Sequence, residues 1–138
     1  MMVLDASAIV KLIINESESD FVRKKVVSEA KKSEPIYTPD IALAESLNVI
    51  WKYSSLKSQN NINQYKLLSD LMLLWNTLTV VNTATLASLA MKIAVDNKIT
   101  IYDALYAALS KLENAPLLTF DKYLKSKATD IEIKVVTI

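Results

Sequence analysis

Short apolar runs alternate along this chain with longer stretches of helical periodicity. Met2 to Asp5 is an apolar run that ends on a lone carboxylate and reads as a strand. Ser7 then stands ahead of Ile9, Leu12 and Ile13, whose spacing predicts a helix capped by Ser7 and ending near Asn15. From Ser17 to Ser33, Phe21, Val26 and Val27 recur among Arg23, Lys24, Lys25, Glu29, Lys31 and Lys32, the pattern of an amphipathic helix with a solvated charged face. Ile36 to Thr38 reads as a short strand, and Pro39 opens a helix from Asp40 to about Leu56. Leu43, Leu47 and Ile50 form its apolar stripe. At about 100° per residue, Glu45 falls on a different face with Asn48 and Lys52. Judged on this segment alone, Glu45 is an ordinary exposed glutamate.

Asn60-Asn61 marks a turn into a second apolar helix, Ile62 to Leu74, with Tyr65, Leu68, Leu71, Met72 and then Trp75. So many large side chains make the hairpin 40–75 a candidate oligomer interface, with a plain core helix as the competing reading. Thr79 to Val81 reads as a third strand, and Asn82 or Thr83 caps a helix running to Asp96. The next helix carries Asp103 in its first turn, where a carboxylate also suits the helix dipole, and a small-residue face of Ala104, Ala107 and Ala108. Pro116 marks its exit. Leu117 to Asp121 repeats the opening pattern: an apolar strand, a hydroxyl, then an acid. A short helix with Lys122, Lys125 and Lys127 follows, and Val135 to Thr137 supplies a last strand. Strands alternating with helices predict an α/β fold with a parallel sheet covered on both sides. The carboxyl ends of such strands face the ligand crevice, so Asp5 and Asp121 are placed for chemistry.

At 138 residues the chain has the length of one domain, with no linker. Its 16 Lys+Arg against 15 Asp+Glu give a net charge of +1, so any polyanion must be held by a local patch. No apolar run approaches the roughly 20 residues of a membrane span, and Asp5 interrupts any signal sequence. The opening strand leaves little room for an N-terminal decoration. These features predict a soluble, cytoplasmic chain. With no cysteine and no histidine, thiolate and imidazole ligands and a histidine base are excluded. Oxygen ligands and lysine remain. Glycine is also absent, so Asn15, Asn97 and Asn114 are expected at left-handed helix ends.

Asp5, Glu45, Asp103 and Asp121 form a candidate quartet of acids. At separations of about 5 Å and an effective dielectric of about 20, each ionised pair repels by roughly 3 kcal/mol. Convergence therefore calls for protons or cations, and an all-oxygen site favours Mg²⁺ or Mn²⁺ over zinc. The segments that carry the acids, VLDASAIVK, ALAESLNVI, TIYDALYAALS and LLTFD, resemble in order and spacing the four acidic motifs of PIN-domain ribonucleases. The likeness is closest to the VapC-type toxins of prokaryotic toxin-antitoxin pairs and spans essentially the whole chain. One motif alone would be weak; here all four occur in order, with Ser7 and Thr119 at the hydroxyl positions.

The resemblance implies a PIN fold, a single domain over 1–138, and endoribonuclease activity on RNA. It implies that Asp5, Glu45, Asp103 and Asp121 are catalytic and gather around one or two Mg²⁺ or Mn²⁺ ions. It also implies a homodimer and a small antitoxin that blocks the cleft. Asp5 and Asp103 are then the principal ligands, with Glu45 and Asp121 ligating directly or through water. Ser7 and Thr119 position ligand or substrate, against a plainer reading as caps and turn formers. Lys122, Lys125 and Lys11 are candidates to grip the phosphate backbone, against a reading as solvated lysines. Tyr102 and Tyr123 could stack on bases, with burial as the default expectation. Two departures, the missing glycines and the single acid of the fourth motif, bear on a second metal site. Two other classes compete: a PIN-like binding module without turnover, and a phosphoacceptor receiver domain. The second requires an acidic pair near the first strand's end, where only Asp5 stands.

Overall fold

The computed structural model describes residues 1–55 and 63–137. Four strands, β1 (Met2–Leu4), β2 (Ile36–Pro39), β3 (Thr79–Val81) and β4 (Leu117–Leu118), form one parallel sheet in the order β3-β2-β1-β4. The connecting helices are α1 (Ala6–Ile13), α2 (Ser19–Lys31), α3 (Ile41–Ser55), α4 (Gln64–Trp75), α5 (Thr83–Asn97), α6 (Ile101–Glu113) and α7 (Lys122–Ile131). This is the expected α/β architecture. The central strands are short and uniformly apolar because both faces are covered: Val3, Leu4, Leu117 and Leu118 are fully buried. Helix α6 packs on β1, β2 and β4 and is covered in turn by α5, which reaches α7. Helices α1 and α2 pack on β1 and β2, while α3 and α4 pack together and each touches α1. Ala104, Ala107 and Ala108 are all buried, so the small face of α6 does allow close approach to the sheet. No helix among the described residues is long and apolar enough to cross a membrane.

Several local expectations are corrected. Asp5, not Ser7, caps α1; its carboxylate accepts from the Ala8 amide at 3.0 Å while Ser7 lies inside the helix. Pro39 ends β2 in register with Val81 rather than opening α3. On α3 the buried positions are Ala42, Ser46 and Ile50, and Leu47 is exposed. In α2 the buried residues are Ser19 and Val22, and Val27 is exposed. Helix α4 starts at Gln64 behind an Asn63 cap and fully buries only Leu71. Leu56, the Asn60-Asn61 turn and Ile62 lie outside the described residues. Val135 forms a single parallel bridge to Leu117 instead of a full strand. Asn82 is the N-cap of α5, as expected, but its side chain makes no capping bond; the Asp40 carboxylate accepts instead from the Thr83 amide (3.2 Å) and hydroxyl (2.5 Å).

Among the expected left-handed asparagines only Asn114 adopts that conformation. Asn97 stays helical and donates its amide to the Ile93 carbonyl at 2.9 Å, passing the cap to Lys98. Asn15 is not among the residues with positive φ, because α1 ends in extended backbone at Ile14. Lys98 (φ 54°) and Glu132 (φ 64°) therefore cap α5 and α7 with a Cβ in a crowded region. Relief of this crowding, roughly 1–2 kcal/mol, exceeds the unfolded-chain entropy that glycine adds. Lys98→Gly and Glu132→Gly are each expected to stabilise the fold by about 0.5–1 kcal/mol, read as a higher urea midpoint at unchanged slope. Asn114→Gly should change it less.

Candidate active site

The chain lays β1, β2 and β3 outward on one side and then returns to place β4 on the other side of β1. A parallel sheet opens a crevice at such a reversal, beyond the carboxyl ends of the strands. Asp5 follows β1 and Asp121 follows β4 by three residues, so both acids stand at that crevice. The turn between β4 and α7 is fastened to Asp5 by two hydroxyls. Ser7 Oγ donates to Asp5 Oδ1 at 2.6 Å and accepts from the Phe120 amide at 2.9 Å. Thr119 Oγ1 donates to Asp5 Oδ2 and accepts from the Asp121 amide at 3.0 Å. Each hydroxyl has one proton, and each spends it on Asp5. Asp121 Oδ1 in turn caps α7, accepting from the Leu124 amide at 2.8 Å.

The other two acids arrive from helices. Asp103 sits in the first turn of α6, whose N-terminus is capped by Thr100 Oγ1 accepting from the Asp103 amide at 3.2 Å. Glu45 extends from the half-buried flank of α3 beside its buried stripe of Ala42, Ser46 and Ile50, and its Oε1 accepts from the Tyr106 hydroxyl at 2.7 Å. Glu45 looked like an ordinary surface residue because it stands opposite Leu43 and Leu47, but the observed stripe is rotated from theirs and leaves Glu45 at the crevice. Asp5, Ser7, Glu45, Asp103 and Asp121 line one cleft of about 300 Å³, together with Asn48, Lys52 and Tyr106.

Electrostatics follow from this crowding. Burial pushes the Asp5 carboxyl up from 3.8 to about 6, against the lowering effect of Ser7, Thr119 and the Ala8 amide, with the charge of Asp121 adding to the rise. Asp103 is raised too, first by partial burial and then by Asp121 and Glu45. Among the described residues no three acids close into a ready metal-ligating cluster. The donors are nonetheless all carboxylate oxygens around an open cleft, a set that suits a hard divalent cation.

Lys11, Lys122 and Lys125, the candidates for gripping phosphate, are not among the residues that line the cleft. Lys11 donates to the Ser17 carbonyl at 2.8 Å, pairs with Glu16 at 3.4 Å and rests 4.7 Å from the Phe120 ring centre. Lys125 covers the same ring at 5.4 Å, and Lys122 is exposed at the start of α7. Tyr102 and Tyr123 are exposed rather than buried, at 55% and 51%. Sequence reasoning gave no role to Tyr106, Asn48 or Lys52. The available signal was spacing: Tyr106 follows Asp103 by three positions, and Asn48 and Lys52 follow Glu45 by three and seven.

A family model for the PIN domain matches residues 2–129. The chain belongs to the PIN-domain family. This PIN domain is 31% identical over 126 residues to Ribonuclease VapC3 of Pyrobaculum aerophilum, covering 91% of the chain and 93% of that relative. Its fold matches a solved Pyrobaculum aerophilum protein with a TM-score of 0.69 at 22% identity, covering 91% of this chain and 78% of the other. It also matches VapBC2 of Rickettsia felis, solved bound to a promoter DNA fragment, with a TM-score of 0.72 at 18% identity over 99% and 96% of the two chains. PIN membership removes the receiver-domain alternative.

Asp5 also sets a pH dependence. Its folded-state value lies above the ordinary one, so the folded chain holds this proton more tightly than the unfolded chain. The corresponding stability is fully present below about pH 3.8 and is lost as pH rises through about 6. In chelator-treated buffer, urea unfolding across pH 4–8 should show wild type losing stability relative to Asp5→Asn over that interval. Asp103→Asn should keep or gain stability at pH 7. A large loss there would make Asp103 a structural cap instead.

Proposed function

We propose that this PIN domain is a Mg²⁺- or Mn²⁺-dependent endoribonuclease and the toxin of a type II toxin-antitoxin pair. The observation that carries the reading is the meeting of four carboxylates, from four distant segments, in one cleft of a chain without histidine or cysteine. The likeness to Ribonuclease VapC3 supports the activity, and the fold shared with VapBC2 supports an antitoxin partner. In this reading residues 1–138 form one cytoplasmic domain.

Asp5, Asp103, Glu45 and Asp121 would hold the cation, with Asp5 and Asp103 as the principal ligands. When bound, the cation supplies a water of lowered pKa and offsets charge on the phosphoryl oxygens. Ser7 and Thr119 orient Asp5 by donating to its two oxygens. The negative charge of the four acids would repel an RNA phosphate wherever no cation offset it. Lys52 and Asn48, on the cleft wall, meet the scissile phosphate, while Lys122 and Lys125 contact the backbone further out. The exposed Leu47, Trp51, Leu68, Met72 and Leu73 of α3 and α4 form the contact face of a homodimer.

The test is cleavage of structured and single-stranded RNA panels by protein freed of any bound antitoxin. Cleavage should require Mg²⁺ or Mn²⁺ and vanish with EDTA. Asp5→Asn or Asp103→Asn should lower it at least about 100-fold, on the scale of losing a charge-stabilising group. Intact RNA with wild type and Asp5→Asn alike would favour a binding module without turnover.

A further inference from the structure

Tyr106 lies one helical turn beyond Asp103 on α6, with its ring in the core and its residue only 3% exposed. The hydroxyl nevertheless reaches the cleft wall and donates to Glu45 Oε1 at 2.7 Å. Two other acids of the cleft are held by the protein in a comparable way. Asp5 Oδ1 takes the Ser7 hydroxyl and the Ala8 amide, and Asp121 Oδ1 takes the Leu124 amide. Thr119 also donates to Asp5 Oδ2, so both oxygens of Asp5 are engaged, whereas donors from the fold occupy one oxygen of Asp121 and one of Glu45, and no described residue donates to Glu45 Oε2. A glutamate on a helix surface has three rotatable side-chain bonds, so a single bond from an immobile partner removes much of that freedom.

We propose that Tyr106 is a positioning residue whose hydroxyl fixes Glu45 through Oε1 and leaves Oε2 as the oxygen that ligates a divalent cation in the cleft. The proposal rests on the metal-dependent reading above. A phenol suits the role because it orients the carboxylate without neutralising it, whereas lysine or arginine there would cancel the charge the cation needs. Burial and the negative charge of Glu45 push the phenol upward, so it stays a neutral donor.

The experiment measures Mn²⁺ binding to the metal-stripped full chain by the electron paramagnetic resonance of free Mn²⁺. It compares wild type, Tyr106→Phe, Glu45→Gln and the double variant. Tyr106→Phe keeps the buried ring, so its circular dichroism should match wild type and its Tm should lie within about 3 °C. Its Mn²⁺ Kd should rise about threefold to tenfold, and Glu45→Gln should weaken binding at least as much. In the Glu45→Gln background, Tyr106→Phe should add nothing, because its effect passes through that carboxylate. In RNA cleavage, the Tyr106→Phe deficit should shrink as Mn²⁺ is raised, with the RNA KM unchanged.

An unchanged Kd in Tyr106→Phe, or the same penalty with and without Glu45, overturns the proposal. Loss of fold in Tyr106→Phe does so too, since the hydroxyl would then support the core instead. If Glu45→Gln weakens binding and Tyr106→Phe does not, this inference fails alone. If wild type binds no Mn²⁺, the metal-dependent reading fails and takes the inference with it.

Discussion

A buried carboxylate with no cationic side chain among its hydrogen-bond partners is the constraint around which this PIN domain is built. Asp5 is 5% exposed, and its contacts are two hydroxyls and one backbone amide. Those donors come from α1 and from the turn after β4, so the groups that make the burial tolerable also tie the end of β1 to its neighbour. They do not fully offset the loss of water, and the carboxyl remains well above its ordinary range. Such a group is held in place yet electrostatically unsatisfied, the condition in which a divalent cation is welcome.

Topology concentrates the rest of the negative charge at the same point. Because β4 is added on the far side of β1, the sheet opens where Asp5 and Asp121 emerge. Helix α6, whose alanines let it lie close to β1 and β2, brings Asp103 to the crevice with its first turn. Helix α3 packs on α1 and α4 and buries Ala42, Ser46 and Ile50, while Glu45, Asn48 and Lys52 line the cleft. The packing that buries the core and the geometry that gathers the acids are therefore the same set of contacts. A change in a core residue beneath α3 or α6 would be felt as a displaced carboxylate.

The proposed nuclease activity uses this conflict between folding and charge. Repulsion among acids held for function opposes folding, a familiar cost at sites organised for catalysis. The rest of the chain offsets it through close packing: Leu4, Ile9, Leu86, Leu109, Leu117, Leu118 and Leu124 are essentially inaccessible to water. The left-handed helix ends at Lys98 and Glu132 show that stability is not maximised elsewhere. Hydroxyl and phenol donors around the acids fit the same logic, because they orient charge without cancelling it.

Periodicity and the order of apolar runs were enough to determine the α/β class, the positions of β1 to β3 and the existence of each helix. The four acidic segments alone pointed to the PIN family, which its family model then showed. Local signals misled where one residue could serve two purposes. Asp5 both caps a helix and lines a cleft, Ser7 bonds across the sheet instead of capping, and Lys98 takes the left-handed position expected of Asn97. On α3 the hydrophobic stripe was right at Ile50 and misleading at Leu47, because Leu47 is exposed while Ser46 is buried. Only the tertiary structure decided that Glu45 faces the other acids and that Tyr106 reaches it. Spacing along a chain reports which residues share a face, and the packing of that face against distant elements decides what it meets.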